Sequence, residues 1–480
     1  MAEPKVIPLL IDSQFVVEPI AYRYPANVVP SLIDQSLPTL SDSIQGADKA
    51  ACLAAVESCA RAFPAWAATS PFEKRRLFLK LSQLLRSKGE EIRGIVEQEI
   101  SCSRLWSYIN LEDSIGLIDE LAALTTSDKL GGSIPMGTEK STALVFMEPL
   151  GVILGIAPWN APLILGIRSV AAAVAAGNTA ILKGSELSPR THFFIANLFL
   201  EAGFPRGVVN FITHRAENAV ECFDTIINHT AVRKCNFTGS TAVGRSVASK
   251  AGAALKPVLL ELGGKNFAVV LGDADLDKAC QKILEGAFLN NGQICMSTDT
   301  VLVVESVASD LKAKLAGNLS VVLPDVSHVI TDTSRVRLKR LLSDAQSKGG
   351  QLLGAPQIES EERSFPPTII DAITSNMDFG HLEAFGPLLG IRVVGNEQEA
   401  LQIMAESTYG LSAAIFSRNH FQALQLARQM KVGAVHINGA TVHDAPNLPH
   451  GGVGDSGFGR FGAHWGLIEF VQTKTIIINE

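Results

Sequence analysis

Two residues of this chain have the chemical types and surroundings that nucleophilic catalysis requires. Cys295 lies in the segment Asn291-Gly-Gln-Ile-Cys-Met-Ser, and Glu261 lies 34 residues upstream (295 − 261) in Leu260-Glu-Leu-Gly-Gly-Lys. A thiolate attacks an electrophilic carbon, and a carboxylate accepts a proton from the thiol or from water. The glycines in both segments allow backbone to approach closely, because glycine has no Cβ. A single cysteine is more often an inert, buried apolar residue, and we interpret the other six cysteines in that way.

Three further motifs carry weaker signals. Gly239 and Gly244 surround a predicted strand-to-helix turn, where backbone N–H groups can bind a pyrophosphate. Lys183 and Glu186 follow a predicted strand and have groups that can bind ribose hydroxyls. The amide of Asn160 can donate to an oxyanion. Taken one at a time, a glycine-rich turn, a surface ion pair and a turn-forming asparagine explain these residues equally well.

Composition restricts the class of protein. The 480 residues are 47% apolar and carry a formal net charge of −7, which disfavours nucleic acid and anionic membranes as partners. The long apolar stretch over 152–182 is interrupted by proline, asparagine, arginine and glycine, so it is a poor membrane span. The seven cysteines form no Cys-x-x-Cys pair, so we expect neither a metal site nor disulfides. The N-terminus has no secretion signal, and we therefore expect a cytoplasmic protein.

The chain changes character near residue 150. The first 45 residues are predicted to be extended and irregular, and amphipathic helices are predicted over 47–66, 72–88, 90–99 and 111–126. Short apolar strands then alternate with helices, with strands over 152–157, 179–183, 208–212 and 234–238 and helices beginning near Pro162 and Ser188. This rhythm is typical of a parallel sheet in a doubly wound α/β domain.

The second half of the chain repeats this alternation and carries Cys295. Strands are predicted over 267–271, 300–304, 388–394, 413–416 and 433–437, and helices over 275–289, 334–348, 397–407 and 420–430. Residues 129–147 alternate like a hairpin, and the C-terminal Thr475-Ile-Ile-Ile is a strand without a following partner. Together these two segments form either a β-flap that joins another subunit or an ordinary edge hairpin.

In their order and spacing, the motifs resemble those of the aldehyde dehydrogenase superfamily over nearly the whole chain. Within it, Gly292-Gln-Ile-Cys-Met-Ser-Thr, Lys183-Gly-Ser-Glu and Val435-His-Ile-Asn-Gly-Ala-Thr-Val are most similar to the salicylaldehyde, benzaldehyde and vanillin dehydrogenase branch. The resemblance also rests on the motifs Glu148-Pro-Leu-Gly-Val, Pro158-Trp-Asn, Gly203-Phe-Pro-Arg-Gly, Phe237-Thr-Gly-Ser, Glu383-Ala-Phe-Gly-Pro and Ser456-Gly-Phe-Gly-Arg.

The resemblance implies two doubly wound α/β domains and a bridging β-flap. The NAD-binding domain is expected over 1–128 and 148–258, the catalytic domain over 259–448, and a return segment to the cofactor domain over 449–466. The flap is expected over 129–147 and 467–480, which favours a homodimer or homotetramer.

The resemblance also implies a mechanism. Cys295 is expected to attack an aldehyde, with the side chain of Asn160 and the Cys295 N–H holding the oxyanion. Glu261 is expected to activate the water that hydrolyses the resulting thioester, which favours a free acid over an acyl-CoA product.

The cofactor expected from the resemblance is NAD. Glu186 should repel a 2′-phosphate, although its side chain can turn away in relatives, so NADP remains an alternative. The expected cofactor-binding residues are Trp159, Lys183, Glu186, Gly239, Ser240, Leu262, Glu383 and Phe385.

The resemblance also implies the pocket positions, which are mostly apolar, so a hydrophobic aldehyde is expected. The similarity to the salicylaldehyde, benzaldehyde and vanillin dehydrogenase branch and the small Ala161, which leaves room for a ring, favour an aromatic one. These positions are Trp106, Ala161, Ile164, Leu165, Arg168, Leu289, Ile294 and Met296, with His443 and Asp444 as further candidates. Arg168 either meets a polar substituent of the substrate or pairs with a local carboxylate. Two other readings of the whole chain are a dehydrogenase of long-chain or polyketide-derived aldehydes and a catalytically silent binding relative.

Overall fold

The computed structural model of this protein describes residues 6–17, 21–23, 43–137, 140–322, 328–354 and 364–479. The irregular segment expected over residues 1–45 lies largely outside these ranges. The chain divides into two compact units. Unit 1 comprises residues Met1–Leu260, Ala445–Pro449 and Gly459–Glu480, and unit 2 comprises Glu261–Asp444 and His450–Phe458.

Strands β2, β3 and β7 to β11 build a mixed sheet of mostly parallel strands, whereas β1, β4 and β5 form a separate three-stranded sheet. Its strand order runs β11-β10-β7-β8-β9-β2-β3, where β7 to β10 are parallel and β2 is antiparallel to β9. The bounds are β1 (Val6–Ile7), β2 (Leu9–Ile11), β3 (Gln14–Val16), β4 (Ala21–Arg23), β5 (Ser43–Gln45), β6 (Ser141–Pro149), β7 (Val152–Ile156), β8 (Thr179–Lys183), β9 (Val209–Ile212), β10 (Val232–Thr238) and β11 (Val258–Glu261).

The helices of this part of the chain begin at residues that favour helix starts. Ser70 caps α2 by accepting from the Glu73 N–H, and Pro71 and Pro162 occupy first helical positions, where a missing N–H costs nothing. The bounds are α1 (Lys49–Ala67), α2 (Pro71–Ser87), α3 (Gly89–Ile100), α4 (Arg104–Leu124), α5 (Pro162–Ala175), α6 (Pro189–Ala202), α7 (Ala219–Ile227) and α8 (Thr241–Ala253).

Unit 2 contains a second mostly parallel sheet with the order β14-β15-β16-β13-β12-β18-β19, in which only β14 is antiparallel to its neighbour. The strands are β12 (Asn266–Val270), β13 (Thr298–Val304), β14 (Gln351–Leu353), β15 (Thr368–Asp371), β16 (Leu388–Val394), β17 (Tyr409–Gly410), β18 (Ser412–Phe416), β19 (Ala434–Ile437), β20 (Val453–Gly454) and β21 (Gly457–Phe458). The helices are α9 (Leu276–Phe288), α10 (Glu305–Val322), α11 (Asp332–Ser347), α12 (Asp378–His381), α13 (Glu397–Glu406) and α14 (His420–Ala427).

The C-terminus adds α15 (Ala463–Ile468) and β22 (Val471–Asn479) to unit 1. β22 pairs antiparallel with β6 along its whole length, so the C-terminal strand does have a partner within the chain. The expected hairpin over 129–147 is reduced to a bridge between Ser133 and Val145, and its tip at Thr138 and Glu139 lies outside the described residues. Ile476, Ile477 and Ile478 of β22 are exposed.

The predicted α/β class is confirmed, and the predicted helices agree with the observed ones apart from their ends. Elements that were not predicted from the sequence include α10, α12, α15, β11, β14 and β15, and α4 begins at Arg104, seven residues before its predicted start. Within the described ranges, no helix is both long and apolar enough to cross a membrane.

Candidate active site

Cys295 differs from the other thiols in its exposure. It is partly exposed, whereas Cys52, Cys59, Cys102, Cys222, Cys235 and Cys280 are buried. Burial raises the pKa of the Cys59 thiol to about 12 and also raises the pKa of Cys102 and of Cys235. A thiol must ionise to act as a nucleophile, so these buried thiols are poor candidates.

The segment around Cys295 is held by the side chain of Asn266, the first residue of β12. Its Nδ2 donates to the carbonyl oxygen of Cys295 at 2.8 Å and to that of Ser297 at 2.9 Å, while its Oδ1 accepts from the Ser412 N–H at 3.1 Å. Gly264 lies against the same loop, because a Cβ on Gly264 would approach the Cys295 carbonyl oxygen to 2.6 Å. The glycine pair therefore permits close packing of the two motifs.

The turn before Cys295 needs unusual backbone conformations. Asn290 and Asn291 adopt left-handed angles with φ of 48° and 57°, which asparagine tolerates better than most residues. Gly292 has φ +67°, and a Cβ there would approach the Gly386 carbonyl oxygen to 2.3 Å. The Gln293 side chain accepts from the Ile330 N–H at 2.8 Å and fixes the turn from outside.

Glu261 ends strand β11 and is fully buried. The residues that follow it are held by Ser456, whose Oγ donates to the Gly263 carbonyl at 2.7 Å and whose carbonyl accepts from the Leu262 N–H at 3.1 Å. Nε2 of His450 lies 3.7 Å from Oε1 of Glu261. A buried carboxylate next to an imidazole is suited to moving protons.

The carboxylate of Glu383 packs on the same glycine pair. Its Oε1 accepts from the Gly264 N–H at 3.0 Å, and a Cβ on Gly263 would lie 2.3 Å from its Oε2. Burial raises the pKa of Glu383 to about 8, with a smaller contribution from the charge of Asp299, while the Gly264 N–H opposes the shift. Phe385 follows in a left-handed conformation with φ 44°.

The loop carrying Glu383 is anchored by a buried ion pair. Lys265 Nζ lies 3.2 Å from Asp299 Oδ1, and that oxygen also accepts from the Ala384 N–H at 3.1 Å. The Arg337 guanidinium donates to the carbonyl oxygens of Glu383, at 2.9 Å, and of Ala384. These contacts explain how a loop without regular structure can keep one conformation.

Of the remaining unit 2 candidates, three lie close to Cys295 in sequence and two, His443 and Asp444, lie far from it. Ile294 and Met296 are buried on either side of Cys295, and Leu289 at the end of α9 is partly buried. Asp444 is partly exposed and its Oδ1 lies 3.7 Å from His450 Nδ1, whereas His443 is exposed.

In unit 1, Asn160 is buried at the turn after β7. The indole Nε1 of Trp106 on α4 donates to the backbone carbonyl of Asn160 at 2.8 Å. On α5, Ile164 and Leu165 lie four and three residues before Arg168, so each of them shares a face of the helix with Arg168. Ala161 caps this helix, and Trp159 beside it is partly buried.

Arg168 is buried, and its guanidinium lies 5.8 Å from the centre of the Phe461 ring. Burial raises the pKa of Asp113 on α4 to about 6, and the charge of Arg168 opposes that rise. Arg168 therefore has a carboxylate within electrostatic range in unit 1.

Several described residues of the chain have the features that a dinucleotide needs. Ser240 caps α8 by accepting from the Val243 N–H at 3.4 Å, and this helix end is exposed beside Gly239. Backbone N–H groups at a helix N-terminus suit a pyrophosphate. At the end of β8, Lys183 Nζ lies 3.9 Å from Glu186 Oε2, and burial lowers the pKa of Lys183.

The structure also shows residues that sequence reasoning missed: Asn266, Ser456, His450 and the Lys265–Asp299 pair. Lys265 ends the glutamate motif and Asn266 directly follows it, so their position in the sequence was the available signal. His450 directly precedes Gly451 and Gly452, and none of the motifs quoted above contains it. In the described part of the chain, no group of three or more His, Cys, Asp or Glu side chains is placed to hold a metal ion.

A family model, two relatives and a solved structure all indicate the same family of proteins. The model of the aldehyde dehydrogenase family matches residues 32–476. A vanillin dehydrogenase from Pseudomonas fluorescens is 40% identical over 434 residues, covering 88% of this chain and 89% of that protein. A salicylaldehyde dehydrogenase from Pseudomonas putida is 36% identical over 433 residues, with coverage of 88% and 89%. The crystal structure of a salicylaldehyde dehydrogenase from Pseudomonas putida G7, complexed with salicylaldehyde, superposes with a TM-score of 0.93 at 31% identity, covering 100% of this chain and 99% of that one.

Proposed function

Since this chain belongs to the aldehyde dehydrogenase family, an NAD(P)-dependent family of aldehyde-oxidising enzymes, we propose that it oxidises aromatic aldehydes of the salicylaldehyde, benzaldehyde and vanillin type to carboxylic acids. The observation that carries the reaction is the setting of Cys295, the one cysteine of seven that is not buried. Its loop packs against Gly264, three residues after Glu261. The substrate class is supported by the similarity to vanillin and salicylaldehyde dehydrogenases.

The proposed reaction assigns one task to each catalytic residue. Cys295 attacks the aldehyde carbon, and the Asn160 side chain with the Cys295 N–H stabilises the oxyanion. When bound, a nicotinamide cofactor would supply the acceptor for the hydride that leaves the former aldehyde carbon, and the thiohemiacetal on Cys295 would thereby become a thioester. Glu261 takes a proton from the water that hydrolyses the thioester, and the acid is released.

The proposed cofactor is NAD. Lys183 and Glu186 would bind the adenine ribose, and the carboxylate of Glu186 disfavours a 2′-phosphate. Ser240 and the turn at Gly239 would bind the pyrophosphate. Glu383 would bind the nicotinamide ribose. The other proposed cofactor contacts are Trp159, Leu262 and Phe385.

The proposed substrate pocket accepts an aromatic ring because its walls are apolar and Ala161 is small. Arg168 is the polar exception, and we assign to it a hydroxyl, methoxy or carbonyl oxygen of the substrate. The other proposed wall positions are Trp106, Ile164, Leu165, Leu289, Ile294 and Met296, with His443 and Asp444 as further candidates.

The proposed assembly is a homodimer or homotetramer, and the proposed location is the cytoplasm. The ribbon of β6 and β22 supports an oligomer, because Ile476, Ile477 and Ile478 are 45%, 58% and 56% exposed. A row of exposed isoleucines on a strand is typical of an interface.

The test is the formation of NADH or NADPH with salicylaldehyde, vanillin, benzaldehyde, hexanal and decanal. We expect kcat/KM for aromatic aldehydes to exceed that for aliphatic ones at least about tenfold, which corresponds to about 1.4 kcal/mol in the barrier. A preference for decanal would overturn the aromatic assignment and favour the long-chain alternative. Cys295→Ala should abolish turnover, while Cys280→Ala, which changes a buried thiol of the same unit, should retain it. Cofactor binding without any turnover would instead indicate a silent relative.

A further inference from the structure

His450 lies between two carboxylates of unit 2. Its Nε2 is 3.7 Å from Glu261 Oε1, and its Nδ1 is 3.7 Å from Asp444 Oδ1. The side chain of Glu261 is fully buried, that of His450 is 9% exposed and that of Asp444 is 19% exposed. The exposure of the three side chains therefore increases from Glu261 through His450 to Asp444.

The loop that places His450 also holds the backbone after Glu261. Gly451 has φ +155°, and a Cβ on Gly452 would approach the Ser456 Cβ to 2.4 Å, so the chain folds back sharply after His450. Ser456 then donates to the Gly263 carbonyl at 2.7 Å. His450 and Glu261 are thus fixed by one set of contacts, which favours a reproducible distance between them.

If the side chain of His450 only filled space, an imidazole at this buried position would disfavour folding. Burying polar and ionisable groups disfavours folding unless they are paired, and an apolar ring of similar size would avoid that cost. Ionisable groups gathered in this way are typical of functional sites. The two ring nitrogens of His450 face the two carboxylates, and a neutral imidazole can accept a proton on one nitrogen while it donates from the other.

We propose that His450 is a positioning residue for Glu261 and receives from it the proton taken from the hydrolytic water. This inference rests on the proposed function. The water oxygen bonds to the thioester carbon while one of its protons passes to Glu261. The C–S bond then breaks, and its electron pair leaves with Cys295 as thiolate. The proton moves from Glu261 to His450 Nε2, and Asp444 stabilises the resulting imidazolium before the proton reaches solvent.

The 3.7 Å separations fit a relay that closes during turnover. Catalytic hydrogen bonds are often long in the absence of substrate, and a small side-chain rotation or a bridging water shortens the path. The relay acts only after the thioester has formed. Loss of His450 should therefore slow thioester hydrolysis and leave the preceding hydride transfer unchanged.

The experiment separates these two steps in the full-length enzyme. Rapid mixing with salicylaldehyde and NAD gives the rate of the first NADH formed, and chemical quenching in a single turnover gives the rate of acid formation. For His450→Phe we expect an NADH rate within about twofold of the unmodified enzyme and an acid rate at least about tenfold lower, within the range of general acid–base catalysis. The rate of acid formation by His450→Gln should lie between those of the unmodified enzyme and His450→Phe. Added imidazole should accelerate acid formation by His450→Ala.

The control is His436→Phe, because His436 is a half-buried histidine of the same unit that packs against His443 rather than Glu261. It should retain the normal ratio of the two rates. An unchanged acid rate in His450→Phe, or an equal fall of both rates without rescue by imidazole, would overturn the relay. Failure of the unmodified enzyme to oxidise any aldehyde would instead refute the proposed function, so the two failures are distinct.

Discussion

The indole Nε1 of Trp106 donates a 2.8 Å hydrogen bond to the backbone carbonyl of Asn160. Both residues are buried in unit 1, at 5% and 4% exposure. The bond joins α4 to the turn after β7 and uses only the backbone of Asn160. The position of this turn and the chemistry of the Asn160 amide can therefore be changed separately.

Asn160→Ala should lower kcat about 10²–10³-fold with salicylaldehyde, the usual cost of removing one oxyanion donor. The substitution leaves the carbonyl that accepts from Trp106 in place. Trp106→Phe removes that hydrogen bond and should have a smaller effect on kcat, because the Asn160 amide remains. Steady-state kinetics of both variants gives the comparison. An Asn160→Ala enzyme within twofold of the unmodified kcat would exclude the oxyanion role.

Glu261→Gln should convert steady turnover into a burst. The amide preserves the shape of the side chain but cannot accept a proton from water, so the thioester accumulates after one NADH per active site. We expect the steady rate to fall about 10²–10⁴-fold while the burst persists. Rapid-mixing measurements of NADH test this, with Glu285→Gln as the control because Glu285 is a partly exposed glutamate of the same unit. Loss of the burst together with the steady rate would assign Glu261 to an earlier step.

Arg168→Leu should raise KM for salicylaldehyde and vanillin more than for benzaldehyde, because only the first two carry oxygen substituents on the ring. The alternative role for Arg168 is an interaction with the carboxyl group of Asp113, whose pKa the charge of Arg168 lowers. The substitution Asp113→Asn removes that carboxyl group and so tests this alternative. Steady-state KM values with the three aldehydes provide the measurement. Equal changes in KM for all three aldehydes in Arg168→Leu, matched by Asp113→Asn, would assign Arg168 to pairing with Asp113.

The alternation of strands and helices was predictable because buried parallel strands are short continuous apolar runs, as in Val152–Ile156. Helix starts such as Pro71 and Pro162 were also predictable, since proline favours the first helical turn. The amphipathic helix Glu305–Val322 was missed because it directly follows a strand without an intervening breaker. Residues 129–147 and 467–480 were expected to share one flap, but the register of β6 against β22 was not predictable because the two strands are more than 300 residues apart.

The catalytic residue types were predictable from their motifs, but their supports were not. Asn266 reaches the Cys295 carbonyl across 29 positions, and Ser456 reaches the Gly263 carbonyl across 193. Such contacts depend on how strands align in three dimensions, which local sequence does not encode. His450 shows the same limit, because only the fold brings it to Glu261.

Glu383→Gln should change how stability depends on pH. The pKa of Glu383 is raised from 4.5 to about 8, chiefly by burial. The unfolded chain loses this proton near pH 4.5, while the folded protein keeps it until about pH 8. The stabilisation that the protonated carboxyl contributes is therefore complete below about pH 4.5 and is lost as the pH rises through about 8. Glutamine is neutral throughout and still accepts from the Gly264 N–H.

The measurement is the apparent Tm of the cofactor-free protein at pH 6 and at pH 9, for the unmodified enzyme and for Glu383→Gln. Going from pH 6 to pH 9, the Tm of the unmodified enzyme should fall by several degrees more than that of the variant, because each pKa unit corresponds to about 1.4 kcal/mol. Glu285→Gln, with a side chain 42% exposed, should follow the unmodified enzyme. Parallel pH dependences of the Glu383→Gln and unmodified proteins would mean that Glu383 is ionised in the folded state at pH 6.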